Sequence, residues 1–178
     1  GLSATVIKLH DDGIRTLAFF QNHTPIHTTK LFDILETIGH IPLPPYIKRE
    51  DTKDDSVDYQ SVFADKQGAV AAPTASLHFT PSMFEALKTR YETHFLTLHV
   101  GAGTFKPVEA EHIQEHVMHS ELYSIPTLTC KCIDSAKPLL AVGTTVTRTI
   151  EYYARDKQPQ GACNLFLHPC NVPQRVTH

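Results

Sequence analysis

The sequence contains no long hydrophobic run. In this chain of 178 residues, no apolar stretch approaches the roughly 18–20 residues that a helix needs to span a bilayer. The first ten residues also lack the basic start, the apolar middle and the small-residue cleavage site of a signal peptide. These absences argue against a membrane-spanning or secreted protein, and we expect a cytoplasmic protein with no membrane partner.

Cysteine is scarce. The chain has four cysteines, and they are too few and too clustered for the disulfide framework of a small secreted protein: Cys130, Cys132, Cys163 and Cys170. We therefore expect free, buried thiols.

The chain also lacks a large excess of either charge. Its formal net charge is −3, with 41% hydrophobic and 20% charged residues, the balance of an ordinary globular protein. A protein that coats nucleic acid is normally basic, so the composition argues mildly against general RNA binding.

The first forty residues carry signals for a hairpin and a helix. Apolar and β-branched runs at 3–9 and 14–20 flank Asp11-Asp12-Gly13, and an Asp-Gly pair in that place is a strong hairpin signal. Apolar residues then recur at helical spacing as far as Ile38. Thr28 or Thr29 is the expected N-cap of this helix, and Gly39 the residue that ends it.

Three prolines, Pro42, Pro44 and Pro45, then predict a stiff connection, and we place a domain junction at about 40–55.

From Gly68 onward, predicted strands alternate with predicted helices. The strands are 68–73, 95–100, 139–143 and 164–168, and the helices are one opened by Thr80-Pro81, 127–137, and 144–155 capped by Thr144. This alternation indicates an α/β layer with a mainly parallel sheet, in a fold that is α+β overall.

Three loops of this region combine small residues with chemically active ones. The loop after the predicted strand at 95–100 contains Gly101, Gly103 and Thr104, so its backbone can approach a ligand closely, although it lacks a Rossmann or Walker pattern. The alternative is an ordinary tight turn. Parallel strands present their carboxyl ends at one edge of a sheet, and we expect the three loops to gather there.

The other two loops place polar groups near helix starts. His78 precedes a helix N-terminus, which favours an anionic group, while Thr144, Thr145 and Arg148 lie at the start of another helix. Arg148 there is placed to bind a carboxylate or a phosphate. The alternatives are a histidine packed in the interior and a capped helix with a surface arginine.

A histidine-rich segment raises the question of a metal. His112, His116, His119 and Glu121 include a histidine pair four residues apart, a spacing that zinc sites use on a helix. The segment lacks an HExxH arrangement, and Cys130 and Cys132 do not have structural-zinc spacing. We expect no metal, and instead acid–base or hydrogen-bonding roles for His119 and Glu121.

Six segments, in this order, resemble the QueA family of S-adenosylmethionine:tRNA ribosyltransferase-isomerases. They are GHIPLPPYIKRED (39–51), VDYQSVFA (57–64), GAVAAPTASLHFT (68–80), TLHVGAGTFKPV (97–108), HVMHSE (116–121) and AVGTTVTRT (141–149). Ser76 and Cys170 depart from the family, which usually has glycine at both places. Because family members are nearly twice as long, we expect this chain to be a fragment.

The resemblance implies a small β-barrel domain, of which residues 1–40 are the C-terminal part, and an α/β catalytic domain that contains 41–178. It implies transfer and isomerisation of the ribosyl group of S-adenosylmethionine onto 7-aminomethyl-7-deazaguanine in tRNAs with GUN anticodons. The product is epoxyqueuosine-tRNA, with adenine and methionine released. The enzyme is expected to be a monomer that uses S-adenosylmethionine as a substrate and needs no metal.

On this interpretation each candidate residue has a role. The acid–base candidates are His78, His99, His119 and Glu121; Gly101, Gly103 and Thr104 line the donor; Thr144, Thr145 and Arg148 hold its carboxylate or a tRNA phosphate. Lys48, Arg49, Arg90, Lys106 and Arg148 are candidates for a local basic path along the tRNA. The alternatives are a metal-binding or RNA-binding α/β module without catalysis, and a methyltransferase.

Overall fold

The computed structural model describes residues 1–10, 13–105, 107–108 and 110–178. It divides the chain into two compact units, Gly1–His40 and Ile41–His178. Asp11 and Asp12 of the predicted turn and Lys106 of the predicted basic path lie outside the described residues. Among the described residues, no helix has both the length and the apolar character to cross a membrane.

The first unit is a three-stranded antiparallel sheet followed by a helix. Strand β1 (Leu2–Leu9) pairs with β2 (Arg15–Gln21), and β2 pairs with β3 (Thr24–Pro25). The antiparallel pairing of β1 with β2 confirms the predicted hairpin.

Helix α1 (Thr28–Ile38) forms where the apolar spacing predicts it, and Gly39 ends it by donating its N–H to the carbonyl of Leu35 at 2.7 Å. The predicted cap was wrong by one residue, since His27 is the N-cap and makes no side-chain capping bond. The helix therefore begins without the hydroxyl cap that Thr28 or Thr29 was expected to supply.

The second unit combines helices with a second small sheet. Its helices are α2 (Asp55–Asp58), α3 (Pro81–Arg90), α4 (Thr127–Asp134) and α5 (Thr144–Asp156), and its strands are β4 (Thr97–Leu98), β5 (Glu121–Ser124) and β6 (Gln160–Cys163). Short 3₁₀ turns lie at Thr74–Ser76, Ala102–Phe105 and Ile113–Glu115. The protein is thus a mixed helix-and-sheet, α+β structure.

Two helix starts test the capping predictions. Thr80 caps α3 as expected, because its hydroxyl accepts from the Met83 N–H at 3.2 Å and Pro81 occupies the first helical turn. At α5 the prediction was wrong: Gly143 is the N-cap, with φ of +96°, and Thr144 is the first helical residue. Glycine adopts that backbone conformation without the strain that a side chain would bring.

The mainly parallel sheet is not confirmed. Strand β5, which the sequence analysis did not identify, lies between β4 and β6 and pairs antiparallel with both. Its burial alternates as in a half-buried strand, with Glu121 and Tyr123 buried and Leu122 exposed.

The strands predicted at 68–73, 139–143 and 164–168 do not form. The last of these leads into a tight turn in which His168 pairs with Asn171. Residues 139–141 bond to the chain end instead: Leu139 accepts from the His178 N–H at 3.1 Å and Ala141 donates to the His178 carbonyl at 2.8 Å, which is a parallel pattern.

The core of the second unit lies between the β4–β5–β6 sheet and helices α4 and α5. Its buried members are Tyr123, Ile125, Cys130, Ile133, Ile150, Tyr153 and Cys163. Burial raises the pKa of Tyr123 to about 12 and also raises the pKa of the Cys163 thiol. The free-thiol prediction is confirmed for all four cysteines, but only Cys130 and Cys163 are buried, and Cys170 is exposed.

Asp55 anchors the segment after the proline-rich connection. Its carboxylate accepts two bonds from Arg49, each 2.7 Å, and one from the Thr52 N–H at 2.7 Å. The Arg49 guanidinium, followed by the Thr52 amide, holds the pKa of Asp55 well below its usual range. The charged carboxylate is therefore favoured in the folded state.

We expect the stability that Asp55 contributes to depend on pH in one direction. Because its folded-state pKa is depressed, the contribution is present above the ordinary aspartate pKa of about 3.9 and is lost as the pH falls through the folded value. Urea unfolding of Asp55→Asn should show a deficit at pH 7 that shrinks as the pH is lowered below 4. Asp58→Asn, which changes an exposed carboxylate of the same short helix, is the control. A deficit that stays constant with pH would contradict the assignment.

Candidate active site

Three loops of the second unit adjoin one another. The Val70 N–H donates to the Val100 carbonyl at 2.7 Å, and Gly68, with φ of +128°, packs so closely on the His99 ring that a Cβ would lie 3.0 Å from Nδ1. A Cβ on Gly143 would lie 3.3 Å from the Cβ of Ala75. These contacts bring the loops at 68–80, 97–105 and 141–149 together, although the described strands form no parallel sheet at whose edge the loops were expected to meet.

Glu121, the first residue of β5, is the centre of a buried polar cluster. Its side chain is 3% exposed. One carboxylate oxygen, Oε1, accepts from the Gly101 N–H at 2.8 Å and from His119 Nε2 at 3.0 Å, and Oε2 accepts from Arg148 Nη1 at 2.5 Å. A buried carboxylate needs such partners, and here they come from three separate segments.

Arg148 holds this cluster from helix α5. Besides its bond to Glu121, Nη2 donates to the backbone carbonyls of His119 at 3.0 Å and Cys163 at 2.8 Å, and the side chain is 11% exposed. Nε is buried without an acceptor among the described residues. The guanidinium thus faces protein groups, where the sequence analysis expected it to face a ligand carboxylate or phosphate.

His119 is oriented by the same carboxylate. A glutamate paired with an arginine acts as an acceptor, so the proton of the neutral imidazole lies on Nε2, which donates to Glu121. The other nitrogen, Nδ1, is then an acceptor, while the face of the ring packs on Gly103. This tautomer leaves Nδ1 as a proton acceptor on a ring that lies beside the glycine loop.

Gly103 lets the His119 ring pack directly on the backbone of the glycine loop. A Cβ at this position would lie 2.6 Å from Nδ1 and 2.7 Å from Cδ2, so the ring or the loop would have to move. The φ of Gly103 is not in the left-handed region, so its backbone conformation does not require a glycine. The close approach of the His119 ring does.

We expect Gly103→Ala to disturb this contact more than Gly101→Ala. Overpacking typically costs about 1–3 kcal/mol of unfolding free energy, and the displaced ring loses its 3.0 Å bond to Glu121. At Gly101 the nearest atom of the described residues to a Cβ would be Glu121 Oε1, at 3.9 Å, which is ordinary contact. Thermal or urea unfolding measures the difference, and NMR of the His119 ring protons reports its displacement. Equal stability of the two variants would contradict the close packing.

The other two candidate histidines make their described contacts outside the Glu121 cluster. His99 is half-buried, and its backbone N–H donates to the Leu122 carbonyl at 2.9 Å. Its ring packs on Gly68, so it lines the junction of two loops. His78 is exposed, and within the described part of the chain its one ring contact is with Phe79, at 4.5 Å. The structure therefore groups His119 with Glu121 and leaves His78 outside that group.

The threonines lie at loop ends. Thr104 is exposed and donates its N–H to the Gly101 carbonyl at 3.2 Å, which closes the glycine turn. Thr144 is exposed and Thr145 half-buried at the start of α5. The first amides of a helix have no intrahelical acceptor, so these two residues present free donors beside Gly143.

The histidine-rich segment does not form a metal cluster in the described residues, which contain no group of three or more potential His, Cys, Asp or Glu ligands. His112 and His116 flank a 3₁₀ turn, and His116 packs against Phe166 with ring centroids 4.9 Å apart. The shared helical face that would suit zinc is therefore absent from this segment.

Comparison with known proteins places the chain in a family. A family model described as queuosine biosynthesis protein matches residues 2–178. The chain belongs to the queuosine biosynthesis protein family. The resemblance found in the six sequence segments is thereby confirmed.

Several curated members of the queuosine biosynthesis family are close relatives, each named S-adenosylmethionine:tRNA ribosyltransferase-isomerase. The protein of Campylobacter jejuni subsp. jejuni serotype O:23/36 is 61% identical over 177 residues, which cover 99% of this chain and 52% of the relative. Those of a Nitratiruptor species and Sulfurimonas denitrificans are 56% and 55% identical. The chain thus spans about half the length of the curated relatives it matches. No solved structure matches it.

Proposed function

We propose that this chain forms part of an S-adenosylmethionine:tRNA ribosyltransferase-isomerase. The reaction would transfer and isomerise the ribosyl group of S-adenosylmethionine onto 7-aminomethyl-7-deazaguanine in tRNAs with GUN anticodons, giving epoxyqueuosine-tRNA, adenine and methionine. The main support is the buried Glu121–Arg148 pair, which orients His119 beside the glycine loop. The relatives' printed names provide the reaction that this arrangement would serve.

The chemistry requires a base at the donor. The positive sulfur of S-adenosylmethionine acidifies the neighbouring 5′ carbon, so a base can remove a proton there to give an ylide, from which adenine is expelled. The opened ribose is then attacked by the amine of the modified base. In our proposal His119 Nδ1 takes that proton, because its Nε2 is already committed to Glu121. His99 and His78 remain candidates for protonating the departing adenine.

The donor's carboxylate needs a positive site. We propose that it lies at the N-terminus of α5, where the amides of Thr144 and Thr145 and the helix dipole favour an anion. Gly101, Gly103 and Thr104 would line the rest of the donor. Arg148 would then act through Glu121, since three of its donor bonds already go to protein oxygens.

The proposal extends to the wider molecule. Residues 1–40 would be the C-terminal part of a small β-barrel domain, and 41–178 would belong to a catalytic α/β domain. The enzyme would be cytoplasmic and monomeric, with S-adenosylmethionine as a substrate and no metal. Of the proposed tRNA path, Lys48 and Arg90 are exposed, whereas Arg49 is paired with Asp55.

The deciding experiment is incubation of a full-length protein carrying this chain with labelled S-adenosylmethionine and precursor tRNA. Release of adenine together with methionine, and a nucleoside of the mass of epoxyqueuosine, is the expected result. Release of S-adenosylhomocysteine would instead identify a methyltransferase. Binding of RNA or zinc without adenine release would favour a binding module and would overturn the proposal.

A further inference from the structure

An open cleft of about 470 Å³ lies beside helix α5, on the C-terminal side of Arg148 and the Glu121 cluster. Tyr152, Arg155 and Asp156 line it, and they follow Arg148 by four, seven and eight residues, which places them on the same helix face. At 1.5 Å per residue the cleft begins about 6 Å from Arg148 along the helix axis and extends to about 12 Å. The cleft is therefore a neighbour of the candidate active site.

Two further segments connect the cleft with the cluster. Residues 116–119 run from the cleft-lining His116 to His119, and residues 163–166 run from the Cys163 carbonyl, which accepts from Arg148, to the cleft-lining Phe166. A molecule that reaches from one place to the other would follow these two segments and α5.

The cleft presents a row of flat rings. The Phe166 ring contacts His116 at a centroid distance of 4.9 Å and an interplanar angle of 61°, and His168 at 5.6 Å and 38°. All three rings are partly exposed. Aromatic faces of this kind are the usual platform for stacking an unpaired nucleobase.

The polar groups of the cleft are close to neutral in sum. Arg155 donates to the Asn171 side-chain oxygen at 3.0 Å and contributes one positive charge, while Asp156 contributes one negative charge. The side-chain amides of Gln114 and Asn164 also line the cleft, and such groups can hydrogen-bond the edges of a base. This charge balance suits an uncharged planar group better than a phosphate, which would face the carboxylate of Asp156.

We infer that this cleft binds an unpaired nucleobase beside the reacting centre. The inference rests on the proposed function, which brings two nucleobase-bearing substrates to this part of the molecule. The base comes either from the tRNA anticodon loop or from the adenosine part of the donor, and both sources share the stacking chemistry. The test separates them.

The test compares Phe166→Ala with Phe166→Tyr in a full-length protein carrying this chain. The probes are an anticodon stem-loop RNA and adenosine, each titrated by calorimetry. We expect Phe166→Ala to raise Kd for one probe by roughly 5- to 100-fold, the range found when a stacking ring is truncated, and Phe166→Tyr, which keeps a ring, to restore binding. Tyr46→Ala removes a ring that is 72% exposed and lies outside the cleft, so it should leave both Kd values unchanged.

The outcomes are distinct. If Phe166→Ala weakens RNA binding, the cleft binds the anticodon loop. RNAs that lack one loop base at a time should then identify one base whose removal does not raise Kd for Phe166→Ala any further. A weakened adenosine complex assigns it to the donor. Unchanged Kd values for both probes, or no binding of either by the wild type, overturn the inference.

Two further measurements keep the test decisive. If Phe166→Ala does not fold, His168→Ala removes the neighbouring ring of the row and is expected to weaken the same probe. Adenine release by the wild type is measured separately. Its absence would refute the proposed reaction, while the binding comparison would still decide whether the cleft accepts a base.

Discussion

Replacing Arg148 by alanine is expected to lower the free energy of unfolding by about 3–5 kcal/mol, the range found when one member of a buried ion pair is removed. The variant leaves the Glu121 carboxylate, whose side chain is 3% exposed, without its only cationic partner of fixed charge among the described residues. It also leaves the His119 and Cys163 carbonyls without the donor that joins them. Urea unfolding monitored by circular dichroism measures the loss.

Two comparisons make this prediction specific. Lys137→Ala removes an exposed pair with Glu92 and should cost less than about 1 kcal/mol. The double variant Arg148→Ala/Glu121→Gln should lose less stability than the sum of its single changes, because neither charge remains buried alone. Simple additivity, or a loss from Arg148→Ala no larger than that of Lys137→Ala, would show that the buried pair does not organise this part of the molecule.

Replacing His119 by glutamine or alanine is expected to reduce kcat by a factor of about 10²–10⁴ in a full-length protein carrying this chain, the usual contribution of a general acid or base. The glutamine variant is the sharper one. Its side-chain amide can still donate to Glu121 but has no basic nitrogen on the opposite side. For this variant we expect Kd for S-adenosylmethionine and the thermal unfolding temperature to change little, because the buried Glu121 carboxylate keeps a donor in place of His119 Nε2.

Adenine release under single-turnover conditions measures this effect without interference from product release. Glu121→Gln is the companion variant: it keeps an acceptor for Gly101 but weakens the orientation of His119, so it should also lower kcat. Near-wild-type turnover in both His119 variants would remove this residue as the base. His99, which packs on Gly68, would then be the next residue to examine.

Much of the local structure followed from sequence patterns. The hairpin, α1, α3 and α5 were predicted from alternation, helical spacing and capping residues, and the structure has them within a few residues of the expected bounds. The family followed from the order of six short segments, which the comparisons confirmed over residues 2–178. Such signals are local, so they survive without knowledge of the fold.

The sheet of the second unit was harder to predict from the sequence than the helices. Strand β5 has four residues and directly follows a histidine-rich segment whose spacing suggested a metal site. Its alternation of buried Glu121, exposed Leu122 and buried Tyr123 was the available signal, but a charged residue at a buried position conceals that pattern. The apolar run at 68–73 donates one backbone bond, from Val70 to Val100, accepts another at Pro73 from the Ser76 N–H, and forms no strand.

The sequence by itself determined which residues are available for chemistry: a glycine loop, a histidine two residues before a glutamate, and an arginine one turn into a helix. Only the tertiary structure decided that Glu121 and Arg148, 27 residues apart, meet as a buried pair. The physical reason is that burial of charge depends on what packs around it, and no local pattern specifies that. On sequence grounds Arg148 was either a surface residue or a ligand contact, and the fold gave it a third role, as the cation that holds Glu121 in place for His119.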